Sequence, residues 1–304
     1  VKERTASSPG GLHHGIWKTL IQDDEAFEPY AKMIIFAFTW ATIPKMWEKV
    51  VQIILAKDVG KKTKITRIRC VQLLDAGLNM GLRTIFGHQM LQAASKLRIL
   101  TDLQFGARSG YMCTSCVLLK RLSYDIIRQQ RLTAVAFDKD ATACYDRMIP
   151  SLGALVARGV GTPKHATTTL LKATEQMKFH VKTAFGVSPS SFTSTEDLVV
   201  YGLLQGSAAV GALWALYSSL LFHVLNQRFQ PTEFPSPRQS RSARRHGEAF
   251  VDDVTLWTTS PVLTLAQLAP LSEARSQVWE RLLWVTGGAL ALLKNYYFGI
   301  QWKW

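Results

Sequence analysis

Residues 248–257 read Glu-Ala-Phe-Val-Asp-Asp-Val-Thr-Leu-Trp, with an apolar run on each side of two adjacent aspartates. This pattern is typical of a β-hairpin with Asp252 and Asp253 at its tip. Acidic residues are ordinary at hairpin tips, so the pair alone does not indicate a function. Carboxylates beside buried strands are costly, however, unless a cation or hydrogen bonds compensate their charge. The segment therefore predicts a hairpin that presents two acids to a compensating partner.

A third acid follows another short apolar run. Residues 133–137 (Thr-Ala-Val-Ala-Phe) predict a buried strand, and Asp140 comes three residues later. Carboxylates from separate strand ends make an oxygen-rich site of the kind that Mg²⁺ prefers, with positions left for phosphate oxygens. Two such ions can activate an attacking hydroxyl and stabilise the leaving oxygen in a phosphoryl transfer. Asp140, Asp252 and Asp253 are thus the candidate centre for chemistry.

The composition bounds the class of protein. The 304 residues include 36 Lys and Arg against 22 Asp and Glu, a net charge of +14, and 47% are hydrophobic. Such a chain can bury a core, and its length fits one large domain or two subdomains. Its charge favours a polyanionic partner, either nucleic acid or an anionic membrane surface. Four cysteines are too few for a disulfide scaffold and indicate a reducing intracellular compartment, without distinguishing nucleus from cytoplasm.

Hydrophobic spacing predicts most of the remaining elements. Residues 31–55 and 73–100 have helical spacing, the first interrupted at Pro44, and residues 57–69 fit a hairpin. Residues 228–247, rich in Pro, Ser and Arg, predict an irregular basic loop, either a disordered insertion or a surface that neutralises template phosphates.

A long uncharged stretch raises the question of a membrane span. Residues 198–227 contain no Asp, Glu, Lys or Arg and are long enough to cross a bilayer. Gln205, His223 and Asn226 lie inside the stretch, however, and no partner span is obvious. The sequence therefore favours a strand and turn followed by a buried core helix and no membrane partner, with a membrane span as the alternative.

One cysteine pair has the spacing of a metal or redox motif. Cys113-Thr-Ser-Cys116 is a lone CxxC, and no second CxxC or His pair is suitably spaced to complete a zinc site. The pair is therefore predicted to be core or helix-face cysteines.

Blocks along the sequence, taken in order, resemble those of reverse transcriptases, the polymerases of retroelements, and are most similar to the non-LTR type. Asp140-Ala-Thr-Ala-Cys-Tyr-Asp146-Arg147 resembles the first catalytic block, and Phe250-Val-Asp-Asp253 resembles the aromatic-x-Asp-Asp block. The other similar blocks are Ser7-Ser-Pro-Gly10, Lys57-Asp-Val-Gly60, Arg69-Cys-Val-Gln-Leu-Leu74, Gln104-Phe-Gly-Ala-Arg-Ser-Gly110, Gly202-Leu-Leu-Gln-Gly-Ser207, and Gly287-Gly288 followed by Lys294. Cys70 and Ala107 depart from the usual Pro and Phe, but neither change removes a catalytic carboxylate.

This resemblance implies a fold and a domain organisation. The fold is an α+β right-hand polymerase, with fingers over a palm made of an antiparallel sheet backed by helices. Residues 1–128 would form an N-terminal extension and the fingers, and residues 129–304 the palm with the catalytic acids. The family normally continues into a thumb, which is missing from this sequence. We therefore expect a segment of a longer polyprotein, in which endonuclease, RNase H or integrase modules are further candidates.

The resemblance also implies an activity. The chain would be an RNA-directed DNA polymerase that transfers a nucleotide from a dNTP to a primer 3′-hydroxyl on an RNA or DNA template. Mg²⁺ or Mn²⁺ would be held by Asp140, Asp252, Asp253 and the backbone carbonyl of Ala141. Lys294 would protonate the departing pyrophosphate.

Further roles follow for residues around these acids, each with ordinary packing or a surface position as the alternative. The residues implied to contact the nucleotide are Lys57, Arg67, Arg69, Tyr145, Gln205 and Gly206. Tyr145 would exclude a ribose 2′-hydroxyl and so select deoxynucleotides. Gln104 and Arg108 would lie near the template and primer.

Two other functions remain open. An RNA-dependent RNA polymerase shares the palm and the metal chemistry, but Phe-Val-Asp-Asp, Gln205-Gly206 and Tyr145 favour deoxynucleotides. An inactive remnant of a retroelement polymerase would bind nucleic acid without incorporating nucleotides, although all three acids are present.

Overall fold

The computed structural model describes residues 14–57, 68–197, 199–200, 202–236, 238 and 240–302. Its α-helices are α1 (His14–Leu20), α2 (Asp24–Trp40), α3 (Lys45–Glu48), α4 (Ala76–Leu82), α5 (Leu91–Lys96), α6 (Cys113–Gln129), α7 (Cys144–Arg147), α8 (Pro150–Gly159), α9 (Lys164–Gln176), α10 (Val210–Arg228) and α11 (Leu265–Val285), with a π-helical segment at Arg83–Met90 and a 3-10 turn at Leu292–Lys294. Its strands are β1 (Lys49–Ala56), β2 (Ile68–Leu73), β3 (Thr133–Lys139), β4 (Lys178–Thr183), β5 (Gly186–Val187), β6 (Thr232–Pro235), β7 (Ser242–Arg245), β8 (Gly247–Phe250), β9 (Asp253–Ser260) and β10 (Tyr296–Ile300). The mixture of helices and largely antiparallel sheets confirms the predicted α+β class.

The chain folds into two compact units, and each is built from two separate stretches of sequence. Val1–Ala93 and Met148–Leu213 form the first unit, and Ala94–Arg147 and Trp214–Trp304 form the second. The assignment of residues 1–128 to fingers and 129–304 to a palm stays a prediction.

The first unit contains a four-stranded mixed sheet in the order β2-β1-β4-β5. Strand β1 pairs antiparallel with β2 and parallel with β4. Helix α9 packs against α2 and α8, and α2 also packs against α4. Trp47 is fully buried, and its ring lies 6.1 Å from that of Phe38 on α2. The turn predicted within residues 57–69 lies mostly outside the described residues.

The segment after Pro44 corrects one sequence prediction. Helical spacing was expected through residue 55, but the structure has only the short helix α3 before β1 begins at Lys49. Val50 and Val51 are buried on this strand. A continuous apolar run fits a buried strand as well as a helix, and β-branched residues favour the strand. The helical prediction was wrong for this reason.

The second unit is organised around a four-stranded sheet in the order β10-β3-β9-β8, in which every neighbouring pair is antiparallel. Helix α11 packs against β3 and β9, and α6 packs against β8. The predicted strand at residues 133–137 and the hairpin at 248–257 are both confirmed. An antiparallel sheet backed by helices is the architecture that was expected around the acids.

Each face of this sheet packs against a different cluster. Val254 and Leu256 of β9 join a buried cluster with Phe222 of α10 and Trp279 of α11. Trp257, the residue after Leu256, lies on the opposite face and packs in a second cluster with residues of α6, β3 and β6. Because side chains alternate along a strand, Asp253 shares the face of Trp257. The acid therefore lies on the side of the sheet that α6 covers.

The basic segment at residues 228–247 corrects a second prediction. Strands β6 and β7 pair antiparallel within it, so the segment is not a disordered loop where the structure describes it. Arg245 is 93% buried: its guanidinium stacks 4.0 Å from the ring centre of Phe234 and lies 3.6 Å from the carboxylate of Glu248. Arg244 forms an ion pair with Glu233 across the hairpin. Two of the arginines in the segment are thus paired with acids of the protein itself.

The uncharged stretch forms the buried helix α10, as predicted, but its described residues before that helix contain no strand, so the strand prediction was wrong there. Within the described residues no helix is both long and apolar enough to cross a bilayer. Leu216, Phe222 and Leu225 of α10 are almost completely buried in the protein core.

Candidate active site

The two adjacent aspartates lie where β8 turns into β9. Phe250 pairs with Asp253 across the hairpin, so Val251 and Asp252 form the turn and Asp253 opens β9. Val251 has φ 57, a left-handed conformation that is strained for a β-branched residue. Such a conformation persists only where its surroundings hold it in place.

The side chain of Gln104 holds this turn. Its Nε2 donates to the carbonyl of Val251 at 2.9 Å and to Ser218 Oγ at 3.0 Å, and its Oε1 accepts from the N–H groups of Val251 and Gly106 at 2.9 and 2.8 Å. These four bonds use the two donors and two lone pairs of the amide, and the residue is fully buried. The Trp214 indole donates a further 2.6 Å bond to the Val251 carbonyl. Both backbone groups of the strained residue are therefore fixed by buried side chains.

The neighbours of Gln104 also have internal contacts. A Cβ on Gly106 would lie only 2.6 Å from the backbone nitrogen of Val251, so the close approach of the two segments requires glycine. The Arg108 guanidinium donates to the carbonyl of Thr101 and lies 3.9 Å from the centre of the Tyr111 ring. The expected contacts of Gln104 and Arg108 with template and primer stay predictions.

Asp140 is fixed by the segment that follows α11. The N–H of Ala291 donates to the Asp140 carbonyl at 2.8 Å, and the Asp140 N–H donates to Asn295 Oδ1 at 3.2 Å. Ala141, which is buried, forms a β-bridge with Leu290. This pairing brings residues 289–295 alongside the end of β3. The sequence did not predict the role of Asn295, because its partner lies 155 residues away.

The same pairing brings Lys294 to Asp140. The Lys294 ammonium forms a charged hydrogen bond with Asp140 Oδ2, and the carboxylate is 15% exposed while the lysine is 67% exposed. This hydrogen bond, together with the charges of Asp140, Asp253 and Asp252, raises the pKa of Lys294. Asp140 and Lys294, both predicted site residues, are thus in direct contact.

The acids of the turn affect one another electrostatically. Burial is the largest cause that raises the pKa of Asp252, and repulsion from Asp253 and Asp140 adds to it. Burial and repulsion from Asp140 likewise raise the pKa of Asp253, while the charge of Lys294 opposes the shift. Concentrated, partly desolvated negative charge of this kind attracts a cation.

The acidic side chains at this site can be compared with the ligands that a divalent metal ion takes in proteins. Among the described residues, no three Asp, Glu, His or Cys side chains converge tightly enough to hold an ion alone. Magnesium commonly takes only one or two protein carboxylates and completes its shell with waters and phosphate oxygens. Asp253 and Asp140, the latter already paired with an ammonium, line one cavity, and two carboxylates suffice for that chemistry.

A cavity of about 580 Å³ opens beside these acids. Its walls include Asp140, Asp253 and Lys294 together with Cys113 and Cys116 from the start of α6. A space of this size, with acids at one side, can admit a ligand that carries its own cation.

The cavity also contains acids that the sequence analysis missed. Asp138 accepts hydrogen bonds from Lys120 Nζ at 2.7 Å and Thr255 Oγ1 at 2.6 Å. Glu248 is buried and accepts from the Trp257 indole, and burial raises its pKa. Asp138 could have been found from the sequence, because it lies near the end of the predicted strand and two residues before Asp140, a spacing that places side chains on the same side of extended chain.

Tyr145 lies on the short helix α7, four residues after Ala141. Burial is the main cause that raises its pKa, and the charge of Asp252 contributes. The ring is therefore within electrostatic range of the turn. Its predicted role in selecting deoxynucleotides stays a prediction.

The other predicted nucleotide-binding residues lie in the first unit. Lys57 is exposed directly after β1, and Arg69 is exposed on β2 opposite Leu55. Arg67 lies outside the described residues, as does the N-terminal block at residues 7–10. Contact of these residues with a triphosphate stays a prediction.

Gln205 and Gly206 form a turn that lies against β2. The Gln205 N–H donates to Gln72 Oε1 at 2.9 Å, and Asn79 Nδ2 donates to the Gly206 carbonyl at 3.1 Å. A Cβ on Gly206 would lie 1.6 Å from the backbone oxygen of Gln72, which leaves no space for any other residue. Leu204, just before the turn, has φ 65.

Comparison with known proteins supports the architecture. No protein-family model and no curated protein matches this chain. A solved structure of telomerase from Candida albicans, in complex with the TWJ fragment of telomeric RNA, is similar with a TM-score of 0.54 at 10% sequence identity. The similarity covers 96% of this chain and 47% of the telomerase chain, so this chain spans about half the length of that protein. The fold of this chain thus resembles that of about half of the telomerase chain.

Proposed function

We propose that this chain is the polymerase portion of a retroelement reverse transcriptase and performs RNA-directed DNA synthesis. The observation that carries the proposal is that Asp140 and Asp253 line one cavity together with Lys294 at the end of an antiparallel sheet, with Asp252 next to Asp253 in the turn. The fold similarity to telomerase supports the same conclusion. The non-LTR type is favoured by the sequence blocks described above.

Each residue of the site has a distinct task in this proposal. Asp140, Asp252 and Asp253 would hold divalent cations, which supply the positive charge that activates the primer 3′-hydroxyl and stabilises the leaving oxygen. Gln104 keeps the turn in the strained conformation that presents Asp252. Lys294 compensates the charge of Asp140 in the free protein, and its raised pKa keeps it protonated and able to donate a proton to the departing pyrophosphate.

The substrate and partners follow from the same proposal. The chain would bind an RNA or DNA template annealed to a primer and would add dNTPs, with Tyr145 excluding the ribose 2′-hydroxyl. Lys57, Arg67 and Arg69 would meet the triphosphate, since guanidinium and ammonium groups bind phosphate oxygens well. The net charge of +14 supports a polyanionic partner.

Primer extension on an RNA template tests the proposal. The wild-type protein with Mg²⁺ is expected to extend the primer with dNTPs, and Asp252→Asn is expected to lower the rate at least about a thousandfold, because the metal site loses a charged ligand. Asp125→Asn is the matched control: it removes an exposed carboxylate on α6 that pairs with Arg128 and does not line the cavity. This control is expected to retain the wild-type rate.

Other outcomes would identify the two alternatives. Extension with NTPs instead of dNTPs would contradict the role of Tyr145 and indicate an RNA-dependent RNA polymerase. Salt-sensitive template binding without incorporation of any nucleotide would indicate an inactive nucleic-acid-binding remnant. Equal activity of wild type and Asp252→Asn would overturn the assignment of the site.

A further inference from the structure

Two cysteines lie in the first turn of α6, which begins at Cys113 and runs for 17 residues. Both are free thiols, but Cys113 is exposed and Cys116 is buried. The N–H groups of Ser115 and Cys116 donate to the carbonyl of Met112, so this turn has regular helical bonding. The difference in exposure gives the two thiols different chemistry.

The positions of the two cysteines suit a disulfide. Helical rise and radius place Cα atoms three residues apart at about 5 Å, within the range of about 4.4–6.8 Å that disulfides span. The side chains of residues i and i+3 also lie on the same side of a helix. A link between Cys113 and Cys116 therefore needs side-chain rotation and only small movement of the first helical turn.

The surroundings of the two thiols determine which of them reacts first. Burial raises the pKa of Cys116 from its ordinary value of 9.0 to about 11, with the charges of Glu248 and Cys113 adding to the effect. A rise of about two units lowers the thiolate fraction at neutral pH about a hundredfold, and the thiolate is the reactive form. Cys113 is accessible to reagents in solution, whereas Cys116 is shielded. Cys113 therefore reacts first.

We propose that Cys113 and Cys116 are a site of reversible thiol–disulfide exchange with a low-molecular-weight disulfide such as oxidised glutathione. The Cys113 thiolate attacks one sulfur of the reagent, which releases one thiolate and leaves a mixed disulfide on Cys113. Cys116 then gives up its proton and attacks the Cys113 sulfur, which releases the second thiolate. The protein loses two hydrogen atoms and the reagent is reduced to two thiols, so atoms and electrons balance.

The structure supplies a context that the CxxC spacing alone does not. The sequence predicted core or helix-face cysteines, because it shows no thioredoxin-like pattern around the CxxC motif. The fold places the pair at the start of a long helix, with one thiol exposed and the other buried, and both line the cavity that contains Asp140 and Asp253. A mixed disulfide on Cys113 would occupy part of that space. In a reducing compartment such disulfides are transient and regulatory.

Mass spectrometry of the full chain tests this proposal independently of polymerase activity. The folded protein is exposed to oxidised glutathione, quenched with an alkylating reagent, and analysed intact and as peptides. The wild type is expected to pass through a glutathione adduct on Cys113 and to end with a Cys113–Cys116 link, which dithiothreitol reverses. Cys116→Ser is expected to stop at the adduct.

Matched variants separate the roles of the thiols. In Cys113→Ser, the reaction of Cys116 with glutathione disulfide is expected to be at least about a hundredfold slower than that of Cys113 in the wild type. Cys70→Ser, which changes a cysteine on β2, is the control and is expected to behave as wild type. A wild-type adduct that never closes to the disulfide would overturn the proposal. So would a Cys116 that reacts as fast as Cys113, and both results can be obtained on the wild-type protein by peptide mapping.

Discussion

Two turns contain residues of the sequence blocks described above, and different contacts fix their backbones. The Val251-Asp252 turn of the second unit has its backbone fixed by the side chain of Gln104, through bonds at 2.9 Å to both the N–H and the carbonyl of Val251. The Gln205-Gly206 turn of the first unit has two different side-chain partners: its Gln205 N–H donates to Gln72 Oε1, and its Gly206 carbonyl accepts from Asn79 Nδ2. Its position also depends on the absence of a side chain at Gly206, which lies against the backbone of Gln72.

The two turns are therefore expected to lose their geometry for different reasons. A turn held by hydrogen bonds loses its geometry when a buried donor or acceptor is removed, since the unpaired groups that remain are costly. A turn held by close backbone contact fails when atoms are added. We therefore expect the Val251-Asp252 turn to be more sensitive to loss of the Gln104 amide, and the Gln205-Gly206 turn to be most sensitive to atoms added at Gly206.

The largest expected effect comes from Gly206→Ala. The new Cβ would meet the backbone oxygen of Gln72 at 1.6 Å, and a carbonyl in a sheet cannot move aside without loss of strand pairing. We expect a loss of at least about 3 kcal/mol in the free energy of unfolding, measured by chemical denaturation. Gly159→Ala, where a Cβ meets no atom within 4 Å, is the control and is expected to cost almost nothing. Equal stability of the two variants would contradict the contact account.

Gln104→Leu should have the next largest effect. It leaves the N–H groups of Val251 and Gly106 without their buried partner, and we expect a loss of about 2–3 kcal/mol in the free energy of unfolding. The matched variant Gln72→Leu removes the bond from the Gln205 N–H to the Gln72 side chain and should cost about 1 kcal/mol. If primer extension is confirmed for the wild type, Gln104→Leu should also reduce it. A larger loss for Gln72→Leu would reverse the comparison.

Asp252→Asn is expected to stabilise the fold while it removes activity. The pKa of Asp252 is raised in the folded protein, first by burial, so the folded state favours the protonated acid. Its stabilising contribution is present at low pH and is lost as the pH rises through the raised pKa. Near neutral pH the variant should therefore have a higher Tm than wild type, by less than the losses above. The difference should disappear as the pH falls below the ordinary pKa of aspartate. A Tm difference that grows on acidification would show that the sign is wrong.

The smallest expected change is that of Val251→Gly. Glycine adopts φ 57 without strain, but it also increases the conformational freedom of the unfolded chain. We expect these effects to offset each other to within about 0.5 kcal/mol. The same substitution at Val254, which is buried on β9 in ordinary strand geometry, should cost roughly 3 kcal/mol. Similar losses at the two positions would indicate that Val251 is not strained.

The sequence predicted those helices and strands whose hydrophobic pattern lies within a few consecutive residues. The strand before Asp140 and the hairpin around Asp252 follow from short apolar runs beside acids, and the structure confirms both. Residues 49–55 were predicted wrongly because an unbroken apolar run has no period that distinguishes strand from helix. The structure pairs Lys294 with Asp140, a contact that the sequence did not predict, and the role of Lys294 as a proton donor, implied by the family resemblance, stays a prediction.

Contacts between distant residues could not be predicted. Gln104 meets Val251 across 147 positions of sequence, and no periodicity indicates such a bond. The basic hairpin depends similarly on Arg245, whose charge is compensated by Glu248 and whose Nη2 donates to Ser123 Oγ on α6. A run of arginines indicates a solvated surface until the fold supplies such partners.

The central claim is that the Val251-Asp252 turn and Asp140 together form a cation site, and Mn²⁺ binding tests it most directly. Titration of the free protein, followed by electron paramagnetic resonance, should detect bound Mn²⁺ in the wild type and in Asp125→Asn. Asp252→Asn should bind at least about tenfold more weakly, because it removes a charged ligand. Lys294→Met should bind more tightly, because the ammonium no longer competes for Asp140. Equal affinity of the wild type, Asp252→Asn and Lys294→Met would contradict the claim.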